Sequence, residues 1–282
     1  MLVVPGNRPE RMAKALEYGA DGLTLDLEDS VPAAEHDAAR AYIGDFLDSA
    51  PPDIVFVRTV SVGRPEFAGD LDAVVRPGLA GLVLPQVEDG DELRAADEQL
   101  NALERERGLE PGSVRLMPAA ESARAVRRLY DIVAASPRVV GTNFNGAPGG
   151  DLCRDLGTTP ILDGPELLYV RSKVLFDARA AGLEVILDSI FVDLDDEEGF
   201  ERDTELGKRI GYTGRTAIHP RQIPVINRVH SPSEEELDEA RSLLEAFRAA
   251  EADGFGAIRH RGKLVDYAMV RHAERMLSRA SA

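Results

Sequence analysis

Leu23-Thr24-Leu25-Asp26-Leu27-Glu28-Asp29 holds the decisive pattern: a mostly apolar run that ends in three carboxylates. A strand over Leu23–Leu27 with so little polar surface suits a parallel sheet covered on both faces. Similar short runs recur at Leu2–Val4, Ile54–Val60, Gly81–Val87, Val114–Pro118, Val139–Phe144, Glu184–Ile190 and Arg215–Ile218. Helical patterns separate them. Pro9-Glu10 opens one that Gly19 closes, Asp89 caps another through Arg107, and Ser122 begins a third that ends near Ser136-Pro137. Further helices are expected from about Gly164 to Ala181 and from Glu197 to Ile210. Eight strand–helix steps over about 220 residues predict a closed α/β TIM barrel, (β/α)8, rather than an open doubly wound sheet. Pro5-Gly6-Asn7-Arg8, after the first strand, lacks the G-x-G-x-x-G spacing of a dinucleotide loop.

The barrel is assigned residues 1–230, and residues 231–282 form a helical extension. Ser233–Ala252 starts with a Ser-x-x-Glu capping box, Ser233 to Glu236. A glycine-rich break, Asp253-Gly254-Phe255-Gly256, precedes a tail helix around Tyr267–Arg279 and gives the tail reach beyond its own barrel.

The chain has 282 residues and a formal net charge of -17, with 50 acidic and 33 basic side chains. Such a field repels nucleic acid. Lysine stands only at 14, 173, 208 and 263, a bias that salt adaptation or a GC-rich genome would produce. No apolar run is long enough for a membrane helix, and the N-terminus has no charged segment followed by a hydrophobic one. Cys153 is the single cysteine, so a disulfide framework is excluded and a cytoplasmic location is expected. It reads as a buried filler rather than a nucleophile.

Barrel active sites lie at the C-terminal strand ends, where this chain concentrates its polar residues. The second strand ends in Asp26-Leu27-Glu28-Asp29, the third carries Arg58, the fifth runs into Glu121, and Asp151 follows Gly149-Gly150 after the sixth. Oxygen donors without thiolates suit a hard cation, for which Glu121 and Asp151 would be the two carboxylate ligands. The plain alternative is that each acid serves only a helix N-terminus. Arg58 needs an anion or a carbonyl oxygen, or else a structural ion pair with Glu28 or Asp29. His219, before Pro220, is expected to bond a loop carbonyl.

These blocks, in this order, resemble the citrate lyase β-subunit-like family of the HpcH/HpaI aldolase superfamily. Met1–Arg11 is similar to its "FVPG-x-RPER" opening and Leu25–Val31 to "LDLEDAV". Val57-Arg58 is similar to "VRIN", Leu84–Glu88 to "LPKVE", and Ala217–Ile223 to "AIHPSQI". The resemblance implies a Mg2+-dependent carbon–carbon lyase, with Mn2+ able to substitute, acting on 3-hydroxyacyl-CoA thioesters. Acyl-CoA and an α-keto acid would be its small-molecule partners, in a homotrimer or homohexamer. It implies Glu121 and Asp151 as metal ligands and Arg8 and Lys14 as contacts to the CoA portion. Arg58, Gly150 and the Ile218–His219 backbone would line the same pocket. Asp266, in Gly262-Lys263-Leu264-Val265-Asp266, would close a neighbouring subunit's site and exchange the proton. Glu28 and Asp29 would hold waters or orient Arg58. Val60, Gln86 and Ser122 depart from the family pattern, and Asn143–Gly150 is longer than the usual loop.

Overall fold

Eight short parallel strands pair in chain order: β1 (Leu2–Pro5), β2 (Leu23–Asp26), β3 (Val55–Arg58), β4 (Gly81–Leu84), β5 (Arg115–Ala120), β6 (Gly141–Phe144), β7 (Val185–Asp188) and β8 (Gly214–Arg215). In this computed structural model residues 1–161 and 164–280 are described, apart from the side chains of 279 and 280. Beyond β8, Leu2 bridges Ala217 in parallel. The Val3 N–H donates to the Ala217 carbonyl and the Ala217 N–H to the Met1 carbonyl, both at 2.8 Å. The last strand segment thus joins the first, as a TIM barrel requires.

The helices are α1 (Pro9–Ala15), α2 (His36–Leu47), α3 (Phe67–Val74), α4 (Gly90–Arg107), α5 (Ala123–Val133), α6 (Asp151–Leu156), α7 (Leu168–Ala180), α8 (Glu197–Ile210) and α9 (Gln222–His230). Asp89 caps α4 by accepting from the Asp91 and Glu92 N–H groups, and Ser122 caps α5 through Ala125. Helix α5 buries Ala125, Val126, Leu129, Ile132 and Val133, a stripe at 3.6-residue period.

The strands are shorter than the apolar runs suggest. The run from Ile54 to Val60 pairs only over Val55–Arg58, because the Val60 N–H turns to the buried Asp70 carboxylate at 2.9 Å. The stretch from Val139 is regular only from Gly141, and Arg215–Ile218 contributes Gly214–Arg215 plus the bridge at Ala217. Helix α1 stops at Ala15, before Gly19, and α7 is preceded by a 3-10 turn over Pro165–Leu167. Gly6 is required at the β1–α1 turn: its N–H lies 2.8 Å from the Asp26 carbonyl oxygen, which a Cβ would approach to 2.6 Å.

A buried ion network ties α7 and α8 to β7 and β8. Arg171 donates from Nε to Asp188 Oδ1 at 2.9 Å, pairs with Asp188 Oδ2, and reaches Asp203 Oδ1 at 2.8 Å. Arg215 meets Asp203 Oδ2 at 2.5 Å and Thr204 Oγ1 at 3.2 Å, between the rings of Phe191 and Phe200. Gly207 lets α8 approach, since a Cβ there would collide with Asp188 Oδ2.

The chain divides into two compact units, Met1–Asn227 and Arg228–Ala282. In the second, α10 (Glu234–Ala252) begins with both bonds of the Ser233–Glu236 capping box. The glycine break leads into an antiparallel hairpin, β9 (Ala257–His260) and β10 (Lys263–Asp266), followed by α11 (Tyr267–Ala280). The hairpin was not expected. Its turn residues Arg261 and Gly262 both have positive φ, but an arginine in the first place hides the usual Asn-Gly signal. Ala240, Leu244 and Ala273 form the core between α10 and α11. Among the described residues, no helix is long and apolar enough to cross a membrane.

Candidate active site

Parallel register sets the site. Asp26 pairs with Arg58 across β2 and β3, so a buried carboxylate stands level with the guanidinium. Arg58 donates from Nε to Asp26 Oδ1 at 2.6 Å and from Nη2 to Asp26 Oδ2 at 2.8 Å. Its Nη1 lies 2.9 Å from Glu28 Oε2 and 3.5 Å from Asp29 Oδ2. The expected ion pairs with Glu28 and Asp29 are both present, but the bidentate partner is Asp26, which the sequence analysis did not pair with Arg58. Strand alternation could have found it, because Asp26 and Glu28 share one face.

Asp26 also accepts from the Glu28 and Ser30 N–H groups, each at 3.0 Å, and from Ser30 Oγ. Burial acts to raise its pKa, but Arg58 and these donors outweigh burial and hold the carboxyl below its usual range. Glu28 behaves oppositely. Burial pushes it up to about 8 against the pull of Arg58, helped by the negative charges of Glu121, Asp29 and Asp26.

Glu121 follows β5 and is 5% exposed. Its Oε2 accepts from the Gln86 N–H at 3.0 Å and its Oε1 from Asn145 Nδ2 at 3.0 Å. Burial raises its pKa, and Asp151 adds to the rise. Asp151 opens α6 behind its N-cap, Gly150. Its Oδ2 accepts from Gln86 Nε2 at 3.2 Å, and its other oxygen pairs with Arg154. The loops are tied beneath them: Ser122 Oγ donates to Glu88 at 3.1 Å and the Ala123 N–H to Asp155 at 2.7 Å.

A cavity of about 80 Å³ at this rim is lined by Arg58, Glu121, Asn143, Asn145, Thr216 and Ile218. The buried Oδ1 atoms of Asn143 and Asn145 have no hydrogen-bond partner. Two orphaned amide oxygens and the Glu121 carboxylate, whose pKa burial raises, make an oxygen acceptor set beside an Arg58 already engaged by Asp26 and Glu28. That set fits a hard divalent cation held by two carboxylates, water and substrate oxygens. Among the described residues, no group of three or more His, Cys, Asp or Glu side chains could hold a metal, which sets this arrangement apart from a closed protein cage.

Other expected residues lie at varied places. Arg8 is exposed and engaged with Glu35 at 3.3 Å, while Lys14 is exposed on the last turn of α1. His219 Nδ1 accepts from the Arg221 N–H at 3.1 Å, so the ring bonds a loop donor rather than the expected loop carbonyl. The main-chain N–H two residues on is a donor, so the ring nitrogen that meets it serves as the acceptor. The N–H groups of Ile218 and His219 both donate to Gln222 Oε1, which leaves Ile218 to line the cavity by its other atoms. Cys153 is buried with Sγ 3.5 Å from the Gly146 carbonyl, and burial pushes its thiol up, as a filler residue requires. Asp266, in the second unit, is exposed at the end of β10, where Oδ1 accepts from the Ala268 N–H at 2.9 Å and starts α11. Sequence reasoning also missed Asn145 and the contacts of Gln86. Nothing in the sequence signalled the amide at 145, whereas Gln86 stood out as a departure from the family lysine.

The pattern of the HpcH/HpaI aldolase/citrate lyase family matches residues 1–220, and that of the TIM-barrel carbon–carbon bond lyases matches residues 169–282. The citrate lyase subunit beta of Leuconostoc mesenteroides subsp. cremoris is 36% identical over 100% of this chain and 93% of its own length. The mitochondrial citramalyl-CoA lyase of Mus musculus is 29% identical over 100% of this chain and 86% of its own. The CitE protein of Mycobacterium tuberculosis, solved with magnesium, acetoacetate and coenzyme A, superposes with a TM-score of 0.81 at 32% identity. That match covers 100% of this chain and 97% of the other. With the barrel, the acidic rim and a match over most of its length, the chain belongs to the HpcH/HpaI aldolase/citrate lyase family.

Proposed function

We propose that this protein is a Mg2+-dependent carbon–carbon lyase that cleaves a 3-hydroxyacyl-CoA, such as malyl-CoA, methylmalyl-CoA or citramalyl-CoA. The products are an acyl-CoA and glyoxylate or pyruvate, and the reverse condensation is equally served. The observation that carries the reading is the pairing of Glu121 and Asp151 through Gln86 beside Arg58, on one rim. The relatives' names and the bound magnesium and coenzyme A of the CitE complex support it.

Glu121 and Asp151 would hold the ion, which when bound supplies Lewis-acid polarisation of substrate oxygens. The rest falls to this chain's side chains. The carbon–carbon bond between the hydroxyl-bearing carbon and the thioester α-carbon breaks, the hydroxyl proton passes to solvent as its oxygen becomes the keto oxygen, and the electron pair of the broken bond passes to the thioester. Arg58, kept charged by Asp26, stabilises the negative charge that develops on an oxygen, most strongly where water is excluded. Glu28 and Asp29 orient that guanidinium. Asp266 of a neighbouring copy gives the thioester α-carbon its proton, or removes it in condensation. Arg8 and Lys14 provide positive charge for the anionic CoA, and Gly150 and Ile218 line the pocket.

The test is a mass-spectrometric screen of acetyl-CoA or propionyl-CoA with glyoxylate or pyruvate and Mg2+. Formation of the hydroxyacyl-CoA is expected, with turnover lost in Asp266→Asn, which keeps an acceptor for the Ala268 N–H. Absence of product from every pair sinks the reading. The name of the Leuconostoc relative favours a second one, a β subunit acting on a citryl thioester carried by an acyl carrier protein. Cleavage of that substrate but of no CoA ester would select it.

A further inference from the structure

Gln86 does something that neither its exposure nor the packing of the barrel explains. It is a non-glycine residue at φ 54, in the left-handed region, with an exposed side chain. Strain of this kind persists only where the surroundings impose it. Here the conformation aims two different donors of one residue at two carboxylates. The main-chain N–H lies 3.0 Å from Glu121 Oε2, and the side-chain amide lies 3.2 Å from Asp151 Oδ2. Two neighbouring carboxylates repel each other, and neutral donors relieve that repulsion without adding a charge that would compete with a cation.

We propose that Gln86 is a positioning residue for the cation, a two-armed clamp that fixes how far apart Glu121 and Asp151 stand. The role rests on the reading of those two carboxylates as cation ligands. Removing an outer partner of a ligand commonly weakens metal affinity tenfold to a hundredfold.

Calorimetric titration of Mg2+ into metal-free, substrate-free protein tests it with four chains: wild type, Gln86→Met, Gln86→Gly and Asp151→Asn. Methionine keeps the length without the donor. Glycine keeps the main-chain N–H and removes the strain. Both Gln86 variants are expected to bind Mg2+ about tenfold more weakly or worse. The metal-free melting temperature should be unchanged in Gln86→Met and equal or higher in Gln86→Gly. Glycine decides the matter if methionine fails to fold. Wild-type affinity in the Gln86 variants, with binding lost in Asp151→Asn, overturns the clamp and leaves the ligand pair standing. Wild-type affinity in Asp151→Asn overturns the ligand pair and the clamp with it.

Discussion

Two clusters of buried charge in one barrel are built to opposite balances. Beside β7 and β8, the guanidiniums of Arg171 and Arg215 meet the carboxylates of Asp188 and Asp203, cation for anion. At the rim of β2 to β6, Asp26, Glu28 and Asp29 pair with Arg58 and Glu121 lines the same cavity, while Asp151 joins Glu121 through Gln86 and pairs with the exposed Arg154. The titration behaviour follows the balance. At Asp203, Arg215 and Arg171 overcome burial and hold the carboxyl below its ordinary range, while Glu28 and Glu121 are pushed above theirs. A balanced cluster is complete and serves the fold. An anionic excess at a cavity is complete only when something positive arrives.

The largest effect should come from Asp151→Asn, which removes charge from the excess side. Turnover is expected to fall by about 10³-fold or more, since under the proposed reading a cation ligand and an electrostatic stabiliser are lost together. The metal-free melting temperature should stay level or rise, because the rim loses repulsion. A fall of turnover and stability together would assign the rim to the fold and erase the contrast.

The balanced cluster should answer the other way. Arg171→Met leaves Asp188 and part of Asp203 buried without their partner, a loss of about 3–5 kcal/mol for a broken buried pair. Thermal unfolding should show a drop on the order of 10 °C, with the turnover of the remaining folded protein little changed. Normal stability would mean that the network is not what holds α7 and α8 to the strands.

The same contrast explains what could be read before the fold was known. Apolar runs such as Leu23–Leu27 and Ile54–Val60 placed the strands because burial on both faces leaves a compositional mark. Their ends were misjudged because pairing stops where a side chain outbids the neighbouring strand, as Asp70 does at Val60. Glu28, Arg58, Glu121 and Asp151 were legible as charges at strand ends. Asp26 was legible as one of these charges but not as the partner of Arg58, because that pairing is set by the register of β2 on β3. Gln86 and Asn145 were beyond reach as contacts. A neutral amide has no periodic signature, and its role depends on loops from different strands meeting. The β9–β10 hairpin escaped for a local reason, an arginine occupying a left-handed turn position.

The smallest effect, and the sharpest test of the imbalance, is the pH dependence of the metal-free protein. Glu28 titrates at an ordinary 4.5 when the chain is unfolded and at about 8 when folded. Between those values the folded state holds a proton that the unfolded state has released, so stability must decline as pH rises from about 4.5 to about 8 and level off above. Glu121 is raised too and acts in the same direction. Asp26 is silent over this range: its lowered pKa makes its contribution complete above the ordinary carboxylate range, to be lost only as pH falls through the depressed value. Glu28→Gln removes one titrating group while keeping an oxygen near Arg58. Melting curves in chelator from pH 5 to pH 9 should therefore be flatter for the variant. The two should diverge progressively toward the alkaline end, with the variant the more stable. Parallel curves would mean that Arg58 alone neutralises Glu28, and the rim would then be as balanced as the network beside β7 and β8.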